Sequence, residues 1–91
     1  MGSELKIIDK SENIDSRMES KLVDIIRKAF EYDQGCDCIV AKCQELFGGS
    51  WIMIHHEEKD GNFGMFFAFK SLKWIKFKHR YNINYLFQIS Q

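Results

Sequence analysis

The chain has 91 residues, 45% hydrophobic and 29% charged, with 13 Lys+Arg against 13 Asp+Glu and so no formal net charge. That length and apolar content specify one folded domain and exclude a disordered tail. No apolar run approaches the roughly 20 residues that a membrane-spanning helix needs, and no charged-then-apolar leader opens the chain, so membrane insertion is not expected.

Met1-Gly2-Ser3 reads as a cloning remnant, leaving 4–91 as a single domain. A domain this small buries roughly 60–65% of its unfolded surface, which makes dimerisation a natural further source of stability. Three cysteines, an odd number, point to a reducing, cytoplasmic setting. The charge is divided along the chain. All 13 acids lie in residues 1–60 beside eight bases, whereas residues 61–91 hold Lys70, Lys73, Lys76, Lys78 and Arg80 and no acid. Such polarity concerns surfaces and association rather than fold.

Residues 5–9 predict a short first strand. Ser16-Arg17-Met18-Glu19 fits a capping box, in which a hydroxyl and a glutamate three residues later satisfy early backbone N–H groups. Behind it Met18, Leu22, Ile25, Ile26, Ala29 and Phe30 form one continuous helical stripe. Tyr32-Asp33-Gln34-Gly35 stops this helix, with the glycine supplying the permissive backbone. Asp37 is the expected cap of a second helix, whose apolar face is Ile39, Val40, Cys43, Leu46 and Phe47 and whose end is Gly48-Gly49.

From Trp51 onward the period changes to two. Residues 51–56 predict a strand, and Asp60-Gly61 marks a hairpin turn, because such turns need positive φ. Residues 63–70 predict another strand and residues 72–79 a third, with Ile75-Lys76-Phe77-Lys78 alternating apolar and basic. Tyr81, Ile83, Tyr85, Phe87 and Ile89 then alternate with polar neighbours in a last strand. Two helices followed by strands give an α+β domain: two N-terminal helices packed on an antiparallel β-sheet.

Catalytic and metal chemistry find little support. Cys36, Cys38 and Cys43 lack zinc-pair spacing, and His55 and His56, adjacent on a strand, point to opposite faces; the cysteines read as structural. No cysteine, histidine and orienting group share a local signature, and hydrolase elbows and phosphate loops are absent. Asp33, Gly35 and Asp37 fail the calcium-loop pattern, with Cys38 where glycine belongs and Gln44 where glutamate belongs. No cofactor or metal is expected. The lysines of residues 70–80, interleaved with Trp74, Phe77 and Tyr81, read as a solvated face blunting a sheet edge rather than as a nucleic-acid site.

Taken together, the order of elements resembles the eight-kilodalton dynein light chain family. The landmarks are Met18, Ala29, Ile39, Ala41, Phe47, Trp51, Asn62-Phe63-Gly64, Ile75, Phe77 and Phe87, across most of the chain. The resemblance implies a non-catalytic, strand-exchanged homodimer in the cytoplasm, associated with the cytoskeleton. It binds linear peptides, such as segments of a dynein intermediate chain, by β-strand addition. The exchanged strand and peptide edge would be Asn62, Phe63, Gly64, Met65, Phe66, Phe67, Ala68 and Phe69. Phe69, Lys76 and Lys78 would tune selectivity, with Asp37 at the position of a basic peptide-contacting residue. Ile52, Ile54 and Phe66 would lie in the dimer interface.

The chain departs from the family where specificity resides. Met65-Phe66-Phe67-Ala68-Phe69 replaces a run of groove hydroxyls and a histidine, and Lys76 and Lys78 replace tyrosines. Ile52 stands where the family has a histidine linked to acid dissociation of the dimer. The groove is therefore expected to select more apolar ligands, with acidic flanks. Similar modules form the C-terminal part of flatworm EF-hand calcium-binding tegumental proteins. That resemblance implies an alternative: a structural dimerisation or ligand-sensing domain of a larger protein, with dynein-peptide binding altered or lost.

Overall fold

The computed structural model describes residues 5–58 and 73–91. Their elements are β1 (Leu5–Lys10), α1 (Ser16–Glu31), α2 (Cys36–Phe47), β2 (Ser50–Glu57), β3 (Lys73–His79) and β4 (Asn82–Ser90). The expected strand over 63–70 and the Asp60-Gly61 turn lie outside the described residues.

The helices form where their apolar stripes predict and α2 ends at Gly48 as expected, but the other ends are made by different residues. Asp15, not Ser16, is the N-cap of α1: it is extended, at φ −82° and ψ 176°, and its Oδ1 accepts the Met18 N–H at 2.8 Å. A carboxylate there satisfies an orphan donor and meets the positive end of the helix dipole. Glu19 therefore closes no capping box. It pairs instead with Lys10 at the end of β1, tying strand to helix.

At the other end of α1, Asp33 takes the left-handed conformation at φ 56°, and the Gln34 N–H donates to the Ala29 carbonyl at 2.7 Å. A short polar side chain tolerates that backbone better than most. Gly35, expected to supply the release, is extended and is the N-cap of α2. Asp37 consequently does not cap α2 but lies in its first turn, where its charge again complements the helix dipole.

The four strands form one antiparallel sheet in the order β1-β3-β4-β2. β3 and β4 are joined by a tight turn at Arg80, with φ 57°, and Tyr81. Tyr81, expected to open the last strand, lies in this turn and is 78% exposed. The order also corrects the reading of the basic strand, because β3 is an inner strand between β1 and β4.

Both helices lie on one face of the sheet. Met18, Leu22, Ile25, Ile26 and Ala29 from α1 and Ile39 and Cys43 from α2 pack with Trp51, Ile75, Phe77 and Leu86 from the strands. Val40 and Phe47 pack partly buried against this core, whereas Leu46 is exposed. The corner from α2 into β2 leaves no room for a side chain at Gly49. The Gly48 carbonyl accepts the Trp51 indole N–H at 2.9 Å and the Gln88 side-chain amide at 3.1 Å. At Gly49, with φ 78°, an added Cβ would sit 2.1 Å from the Ser90 carbonyl oxygen.

Two substitutions test these end structures by denaturant titration. Asp15→Ala should lower stability by about 1 kcal/mol, the usual cost of a lost N-cap. Gly49→Ala should cost more, about 3 kcal/mol, because strained backbone and a clash with main-chain oxygen act together.

Candidate protein interface

Alternation along the strands sends every second side chain away from the helices. On that far face β4 presents Ile83, Tyr85 and Phe87, which form a second buried cluster with Ile54 and Trp74 packed against it. The cross-strand register arranges this face in rows. Ile52 of β2, Phe87 and Trp74 make one row, and Ile54, Tyr85 and Lys76 the next. His56, Ile83 and Lys78 make a third, and β1 adds Asp9 opposite Lys76 and Lys6 opposite Lys78. The face is thus apolar at one end and increasingly cationic toward the β3–β4 turn.

Its polar groups are anchored individually. The Lys76 ammonium stands 5.4 Å from the centroid of the Tyr85 ring, a cation–π arrangement. Lys78 Nζ pairs with Glu58 Oε1 at 2.9 Å, which offsets the like charge of Lys6 across the ladder. The rings of His56 and Tyr85 stack with centroids 5.9 Å apart. His56 Nδ1 lies 2.9 Å from the Glu57 carbonyl, so it carries the proton and donates there. In the neutral ring Nε2 then accepts from the Tyr85 hydroxyl at 3.4 Å.

Among the residues expected from sequence, Ile52, Ile54, Lys76 and Lys78 come together on this one face. Ile52 is 39% exposed there. Asp37 is elsewhere, exposed in the first turn of α2 on the helical layer. Asn62, Phe63, Gly64, Met65, Phe66, Phe67, Ala68 and Phe69 lie outside the described residues. Sequence reasoning used Phe87 only as a family landmark, weighed His56 only as a metal ligand and Trp74 only beside the lysines, and placed none of these or Tyr85 in the site. All four share the face with the expected residues. The signal for Tyr85 and Phe87 was the alternation of the last strand. What that alternation did not show is that the opposite face of β4, with Asn84, Leu86 and Gln88, is also buried.

Among the described residues the two outer strands of the sheet differ. β1 carries Lys6 and Lys10 and its register slips between Ile7 and Asp9, features that discourage pairing with another strand. β2 ends the other side of the sheet among the described residues. It has no lysine and keeps a continuous register with β4 from Trp51 to Glu57.

Among the described residues no three His, Cys, Asp or Glu side chains are grouped to hold a metal ion. No helix among them is long and apolar enough to cross a membrane. Cys43 is fully buried in the core, and burial pushes its thiol from 9.0 to about 12. The core favours the protonated thiol, so this contribution is fully present below pH 9 and is lost as the pH rises through 12.

Two measurements check the state of Cys43. Thiol labelling at pH 8 should modify the half-buried Cys36 and Cys38 readily and Cys43 only at the rate of unfolding. A Cys43→Ala chain should lose stability less steeply than the parent between pH 9 and pH 12 in denaturant titrations. Comparison of the chain with protein-family models and with curated proteins finds no match.

Proposed function

We propose that this chain is a non-catalytic homodimeric adaptor of the dynein light chain type, binding linear peptides by β-strand addition. The observation that carries the reading is the asymmetry of the sheet edges. Among the described residues β1 bears lysines and slips in mid-strand between Ile7 and Asp9, whereas β2 has no lysine and slips only at its start, between Ser50 and Trp51, keeping its register from there to Glu57. Strand addition takes affinity from main-chain hydrogen bonds, so it requires an edge of the second kind. In this reading residues 62–69 of a second copy supply the strand that β2 receives. The far face, with Ile52, Ile54, Trp74 and Phe87 at its apolar end, packs near the two-fold axis.

A two-fold dimer presents two equivalent grooves, so it clamps two copies of a partner through effective concentration rather than through any new contact. The run Met65-Phe66-Phe67-Ala68-Phe69 offers fewer hydrogen-bond partners than hydroxyl-bearing residues would, each typically worth about 0.5–1.5 kcal/mol. Selectivity then rests on apolar pockets and on the positive charge of residues 61–91. The setting that goes with this role is the cytoplasm, on cytoskeletal assemblies.

Dimerisation is checked by light scattering over a concentration series. The expected mass is twice 10.8 kDa, and a monomer at tens of micromolar overturns strand exchange. Ile54→Lys should shift the equilibrium to monomer while far-ultraviolet circular dichroism stays unchanged.

Calorimetry tests the groove. A Thr-Gln-Thr-type dynein intermediate-chain peptide should bind more tightly with acidic than with basic flanks, and the gap should shrink as salt is raised. Equal affinities would remove the charge argument. Silence at millimolar peptide from an intact dimer would reassign the chain as a structural dimerisation domain.

A further inference from the structure

We draw no further inference here: the strongest candidate, the cleft between α1 and α2 lined by Ile25, Ala29, Ala41 and Leu46 with Cys38 beside it, is an apolar groove whose flanking charges are already paired as Asp24–Lys28 and Lys42–Glu45, and nothing in the structure shows what covers it.

Discussion

The structure turns on the burial of β4 on both faces. Every residue from Ile83 through Gln88 is buried, so this strand cannot alternate between oil and water as a half-solvated strand does. Leu86 meets the helical core, while Ile83, Tyr85 and Phe87 build a second cluster on the other side. Two polar residues on the helical side are the cost of that position. The Asn84 side-chain amide donates to the Asn82 carbonyl at 3.3 Å, and that of Gln88 donates to Gly48. Among the described residues the Gln88 side-chain oxygen is buried without a hydrogen-bond partner. A buried polar group left unsatisfied costs about 1–3 kcal/mol, so Gln88 spends part of what it gains by holding the α2–β2 corner.

That corner links the two layers. Gly48 receives hydrogen bonds from Trp51 and Gln88, residues on two different strands, and Gly49 lies against the end of β4. Because the end of α2 is fixed to the sheet at this point, the direction of β2 follows from it. On the opposite side, Ser11 extends the β1–β3 ladder: its N–H donates to the Trp74 carbonyl at 2.9 Å and its hydroxyl accepts the Trp74 N–H at 3.0 Å. The Lys10–Glu19 pair then carries that edge onto α1. Both sides of the sheet are thereby tied to the helices.

Much of this was legible from residue spacing. The stripe of α1 emerged with five of its six expected positions buried, and Phe30, half-buried, packs against the same core while stacking on His79 with ring centroids 3.8 Å apart. Helix ends were read less well, because several residues near each end have capping chemistry and only the backbone path selects among them. Asp15 and Ser16 are both good caps by type. Asp33 rather than Gly35 took the left-handed position, since Gly35 was needed in extended form to start α2.

Sequence alone determined the α+β class, the helical stripes and the periods of the strands, because those depend on side-chain spacing along a single element. It also separated acidic and basic halves and singled out Ile52, Ile54, Lys76 and Lys78. Only the tertiary structure decided that these four share one face, that β3 is an inner strand, and that the bulged, lysine-bearing edge is β1. Strand order and cross-strand register join residues far apart in the chain, through backbone hydrogen bonds that are nearly the same whatever the side chains. Spacing within a strand therefore fixes its two faces, but the neighbours of each face are chosen by how the whole sheet buries β4.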